Sequence, residues 1–177
     1  MWVSIPRPIW RTHATLWVRV KPVRVLFVCT GNLCRSPLAE ALFNTQLAAS
    51  GMAQRAVARS VGTHAKPGQP VPALMLAAAS ARGLDLSSHR SRRLVSADYA
   101  NYDEIVALDL GHLDHLNFLR PQPYAGQLSL LLSGVDEAGQ IEVPDPFGGP
   151  ARAYAHAAHL IDLGVRHLLL RVLATIP

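Results

Sequence analysis

Hydrophobic and polar positions change period along the chain, and the changes mark out its elements. Val23–Val28 is short, apolar and β-branched, the pattern of a strand buried on both faces. A polar stretch follows. Leu38, Ala41, Leu42 and Thr45 then recur at helical spacing, with Ser36 as the expected cap, Pro37 at the first helical position and an end near Ser50-Gly51. Ala56–Val61 predicts a second strand, and Pro67, Gly68 and Pro70 a loop. Ala73–Arg82 predicts a helix stopped by Gly83. The Ser- and Arg-rich stretch Leu84–Asn101 is expected to be irregular. Glu104–Leu108 predicts a third strand, Leu110–Leu119 a short helix and Leu128–Leu132 a fourth strand. Tyr154, Ala158, Ile161, Val165, Leu168 and Val172 define the buried stripe of a long final helix.

Strands that alternate with helices predict an α/β fold: three layers, α/β/α, with a central four-stranded parallel sheet, Rossmann-like in architecture. Such sheets bind ligands beyond the carboxyl ends of their strands, where the segment after Val28 lies.

Composition narrows the function classes. A chain of 177 residues, half of them hydrophobic, suits one globular domain. No apolar run is long enough to span a membrane. Two cysteines so close together form no secreted disulfide framework, so a reducing cytoplasm is the expected compartment. The net charge of +5 hints at nucleic acid, but Arg7, Arg11, Arg19 and Lys21 supply four of those charges before residue 23. No lysine-rich tract or RNA-binding aromatic motif follows, so neither nucleic acid nor membrane is an expected partner. Residues 1–22 carry three prolines and scattered arginines and lack a signal-peptide core. They are expected to be a flexible extension before a catalytic domain at 23–177.

The chemistry concentrates in "VLFVCTGNLCRSP", Val25–Pro37. A loop between a strand and a helix start can turn successive backbone N–H groups inward and form an anion nest. Gly31 and Asn32 tolerate the left-handed conformations that a tight loop needs. Arg35 can hold two phosphoryl oxygens with its planar fork. The same positive field activates a cysteine as a nucleophile, which singles out Cys29. A zinc site is not expected, since Cys29 and Cys34 have no second pair nearby, and the Gly-Lys-Ser/Thr of a nucleotide-binding loop is absent. Ester cleavage also needs a proton donor for the leaving oxygen. Asp145, between two prolines in "VPDPFGGP", is a turn residue by itself and the best acid candidate beside the Cys29 loop.

These segments resemble the low-molecular-weight protein-tyrosine phosphatases of bacterial type. "VLFVCTGNLCRSPLAEALF" is similar to that family's first strand, phosphate loop and first helix, and "VPDPFGG" to its acid loop. "RSVGT", "LSSHRSRRL" and "YDEIVALD" resemble further family segments. The resemblance implies a cysteine-dependent phosphatase without cofactor or metal. It implies that Cys29 attacks phosphorus to give a phosphocysteine, and that Arg35 with the loop Thr30, Gly31, Asn32, Leu33 and Cys34 holds the oxygens. Asp145 would protonate the leaving group and then activate water, while Ser36 stabilises the Cys29 thiolate. Asn32 would keep the loop in shape through a network with Ser60 and His89. Cys34 would either form a reversible disulfide with Cys29 or simply pack under the loop. The implied substrate is a phosphorylated protein, a bacterial tyrosine kinase among the candidates; the oligomeric state is left open.

Two positions depart from the family pattern. The acid loop reads Asp145-Pro146-Phe147-Gly148 where a second aromatic is common, which leaves Phe147 alone to flank a substrate ring. Leu33 stands where the tyrosine-directed members usually have Ile and arginine-directed relatives Thr. The expected substrate is phosphotyrosine, with phosphoarginine as the enzymatic alternative. Intact Cys29, Arg35 and Asp145 together argue against a phosphoprotein-binding module, and a redox sensor would leave Asp145 unexplained. A disulfide-relay arsenate reductase would need cysteines beyond Cys34, and none follows. Arg90, Arg92 and Arg93 are expected on a solvated face.

Overall fold

The computed structural model describes residues 21–175. The expected flexible extension at 1–22 falls almost wholly outside them.

Four parallel strands form one sheet in the order β2-β1-β3-β4: β1 Val23–Cys29, β2 Ala56–Gly62, β3 Glu104–Ala107 and β4 Gln127–Leu130. The helices are α1 Arg35–Ala49, α2 Ala73–Ser80, α3 Ala97–Asn101, α4 Leu110–Leu119 and α5 Ala151–Ala174, with a 3-10 turn at Asp136–Ala138. β1 is central and buried on both faces, which explains its unbroken apolar run. Val25, Phe27 and Cys29 join one core with α1, α2 and α5. Leu26 and Val28 join a second core with Tyr99 and Leu116 of α3 and α4. The three-layer fold is thus the alternation of side chains along β1, each face covered by its own helices.

All six stripe residues of the final helix are buried. Four expectations change. Ser36 is not the cap of α1. The helix starts at Arg35 with Cys34 as its N-cap, and its first turn has no side-chain cap. Thr45 is exposed, and the buried face of α1 runs through Leu38, Ala39, Leu42, Phe43 and Leu47. The stretch Leu84–Asn101 contains α3, a helix too short to show a period in sequence. The fourth strand ends at Leu130. Leu131 still donates its N–H to the Ala107 carbonyl at 2.9 Å, and the chain then turns under α5.

The strand order makes β1 and β3 the switch point. From β1 the chain crosses to β2 on one side, and from β3 to β4 on the other. The loops leaving β1 and β3 therefore diverge and open a crevice at the carboxyl edge of the sheet.

Candidate active site

The loop after β1 wraps that crevice. Asn32 is its only non-glycine residue with positive φ, 53°, and it is fully buried. Its side chain accounts for this strain. Nδ2 donates to Ser36 Oγ at 3.0 Å and to Ser60 Oγ at 2.9 Å, and Oδ1 accepts from the Arg92 backbone N–H at 2.8 Å. His89 Nε2 donates to the Asn32 carbonyl at 3.0 Å. Ser60 in turn donates to Glu40 at 2.7 Å. The structure thus brings Asn32, Ser60 and His89 together and adds Glu40. Gly62, at the end of β2, lies directly beneath. A Cβ there would meet the Thr30 carbonyl oxygen at 2.5 Å and the Asn32 nitrogen at 2.8 Å, so only glycine lets the two backbones approach.

Cys29 is buried at the base of the loop, with Sγ 2.9 Å from Ser36 Oγ. The Ser36 hydroxyl also receives Asn32 Nδ2 and donates to the Val61 carbonyl at 3.2 Å. These partners, four to 25 positions away, are why it caps nothing. The second cysteine differs. Burial pushes the Cys34 thiol up to about 12, the charges of Cys29 and Asp145 add to this, and Arg35 only partly opposes them. Near neutral pH Cys34 is a protonated thiol packed under the loop. Both cysteines are free.

Arg35 is buried and forked between two carboxylates. One terminal nitrogen donates to Asp109 Oδ2 at 2.7 Å and to the Val143 carbonyl at 3.0 Å. The other lies 2.8 Å from Asp145 Oδ2. Asp145 Oδ1 accepts from the Phe147 N–H at 3.2 Å, which holds the acid loop in a tight turn. Cys29, Thr30, Gly31, Leu33, Cys34, Arg35, Asp145 and Phe147 line one cleft of about 220 Å³. The expected nucleophile, cation, acid and apolar rim therefore share one opening.

Sequence reasoning missed Asp109 and His112. Asp109 ends the segment after β3 and caps α4, accepting from the His112 N–H at 2.8 Å. Burial opposes its charge. Contacts from the His112 ring and backbone, together with Arg35, outweigh that and hold its carboxyl well below the usual carboxylate range. Arg92 also differs from expectation. It is not merely solvated but forms a two-pronged pair with Asp98 at 3.1 and 3.0 Å, which steadies the backbone that holds Asn32.

Known proteins match this arrangement across the domain. Residues 24–176 match the family model described as "Low molecular weight phosphotyrosine protein phosphatase". The chain belongs to that family. A low molecular weight protein-tyrosine-phosphatase of Streptomyces coelicolor is 34% identical over 84% of this phosphatase and 93% of the relative. A protein-arginine-phosphatase of Geobacillus stearothermophilus is 32% identical over 77% of it and 86% of the relative. Among solved structures, a protein tyrosine phosphatase from Entamoeba histolytica with Hepes in its active site superposes with a TM-score of 0.81. It is 27% identical, over 86% of this phosphatase and 97% of that chain. Among the described residues no helix is long and apolar enough to cross a membrane, and no cluster of three metal-ligating side chains occurs.

Proposed function

We propose that this phosphatase hydrolyses phosphotyrosine in proteins through a phosphocysteine at Cys29. The observation that carries this is the shared cleft. Cys29 lies at its base, Arg35 and the uncapped start of α1 beside it, Asp145 at its mouth, and Leu33 and Phe147 on its apolar walls. A phosphoryl dianion entering the loop meets Arg35 and the first N–H groups of α1, whose dipole favours negative charge. It competes with Asp145 for Arg35, frees the acid loop and brings negative charge against the carboxyl, which favours its acid form. Cys29 Sγ attacks phosphorus. The P–O bond to the substrate breaks as Asp145 passes its proton to the leaving oxygen. Ser36 turns its hydroxyl from the Val61 carbonyl to the sulfur and stabilises the departing thiolate when water, deprotonated by Asp145, attacks phosphorus, the S–P bond breaks and inorganic phosphate is released. The donors are fixed before substrate arrives, and this preorganisation stabilises charge on the transferring oxygens.

Leu33 and Phe147 suit an aromatic leaving group. One observation favours a second reading, phosphoarginine. A neighbouring cleft of about 650 Å³ is lined by Asp109, Glu142 and Asp145, whose carboxylates would suit a guanidinium. The test is phosphate release from a phosphotyrosine peptide and a phosphoarginine peptide of the same sequence, without metal. Preference for phosphotyrosine is the expected result. Preference for phosphoarginine would keep the cysteine chemistry and overturn the substrate. The assignment of a cytoplasmic site of action, with a bacterial tyrosine kinase as a candidate target, belongs to the same proposal and rests on the family resemblance and the free, closely spaced cysteines.

A further inference from the structure

One side chain joins the two loops that meet at the switch point. His112, in the first turn of α4, is 4% exposed. Its Nε2 lies 2.8 Å from Thr30 Oγ1, in the residue after the nucleophile. Its Nδ1 lies 2.8 Å from Asp109 Oδ1, an approach off the ideal hydrogen-bond axis. The other Asp109 oxygen holds Arg35. Thr30 and Arg35 bound the same loop, so the chain Thr30, His112, Asp109, Arg35 closes a ring around it.

Helix capping explains only part of this arrangement. Asp109 caps α4 through the backbone N–H of residue 112, which any residue but proline would supply. The imidazole adds two contacts that the cap does not need. An Asp109 carboxylate against Nδ1 favours the tautomer with the proton there. Nε2 is then an acceptor, and the Thr30 hydroxyl donates to it. That fixes the Thr30 side chain and, through it, the peptide unit that follows Cys29. At its other end the pair sets the angle of the Arg35 fork.

We propose that His112 is a positioning residue for the oxyanion site, fixing the separation between the start of the Cys29 loop and the Arg35 guanidinium. The inference rests on the phosphatase reading of that loop. Small displacements of a binding group cost large factors in rate, so the effect is to be sought in phosphate affinity and turnover together.

The test compares His112→Ala, His112→Asn and His112→Gln with Thr30→Val. Inorganic phosphate affinity is measured by calorimetry, kcat and KM with p-nitrophenyl phosphate, and Tm alongside. An asparagine amide sits where Nδ1 was and can address Asp109 but not Thr30. The expected result for His112→Ala is phosphate binding weakened about tenfold and kcat/KM lowered about tenfold to a hundredfold. His112→Asn recovers most of the phosphate affinity and His112→Gln less. Thr30→Val, which leaves α4 untouched, lowers kcat with little change in phosphate affinity. Phosphate affinity in His112→Ala within about twofold of wild type would overturn the proposal, as would equal losses in all three His112 variants that follow Tm alone. Should His112→Ala not fold, the Asn, Gln and Thr30→Val comparison decides in the same way. Because phosphate binding needs no turnover, a wild type that binds phosphate but cleaves no ester would refute the phosphatase reading, while the affinities would still decide the role of His112.

Discussion

Replacing Cys29 with serine is expected to lower turnover by about 10⁴-fold or more, as loss of a catalytic nucleophile does elsewhere, while inorganic phosphate still binds. The two halves of this prediction have separate causes. The oxyanion site is made by Arg35, the loop backbone and the start of α1, and none of these depends on the sulfur atom. Asn32 and its partners Ser36, Ser60, His89 and the Arg92 backbone hold the loop whether residue 29 is Cys or Ser. A serine hydroxyl, however, is not ionised near neutral pH, and Asp145 serves the leaving oxygen rather than the nucleophile. Cys34 cannot take over, because burial keeps its thiol protonated with its pKa pushed up to about 12. Cys34→Ser should therefore retain turnover. Steady-state rates and phosphate calorimetry on both variants check this pair. Substantial activity in Cys29→Ser would refute the nucleophile assignment.

The second large effect is expected at Asp145. Asp145→Asn removes the proton donor without changing the size of the side chain. The rate should fall by about 10²- to 10⁴-fold for a phenyl phosphate with a poor leaving group. The loss should be much smaller for p-nitrophenyl phosphate, whose leaving group departs with little help. A plot of log kcat/KM against leaving-group pKa should therefore steepen in the variant. The structure adds a second expectation. Asp145 pairs with Arg35 at 2.8 Å, in competition with a phosphoryl group. The amide carries no charge to compete, so inorganic phosphate should bind the variant at least as tightly as the wild type. Equal rate losses for all leaving groups would remove Asp145 as the acid. Weaker phosphate binding would contradict the exchange at Arg35.

The parts of the fold that show a clear period are legible in the sequence. β1 reads correctly because both its faces are buried, and α5 because its stripe covers about five turns of helix packed on one side of the sheet. What the sequence hides depends on distant partners. Ser36 has the chemistry of a cap, but Cys29, Asn32 and Val61 claim its hydroxyl. Leu131 and Leu132 have the composition of a strand, yet they are drawn under α5. Gly164 lets them approach so closely that a Cβ there would lie 2.6 Å from Leu131 Cγ.

The site divides the same way. Cys29, Arg35 and the loop between them are contiguous, so their joint purpose is visible in one line of sequence. Asp145 gains meaning only beside that loop. Asp109 and His112 look like a helix cap and a surface histidine, because their partners Arg35 and Thr30 lie 74 and 82 positions away. The one available signal was their place just past the end of β3, across the switch point from β1.

The central claim is a covalent phosphate on Cys29. Asp145→Asn slows water attack as well as the first step, so p-nitrophenyl phosphate should load this variant faster than it empties. The measurement is rapid acid quench followed by peptide mass spectrometry. The account predicts one added phosphoryl group on the peptide that contains Cys29, assigned to Cys29 and not Cys34 by fragmentation, and none in Asp145→Asn combined with Cys29→Ser. Phosphate found on another residue, or no covalent phosphate while the ester is being cleaved, would contradict it.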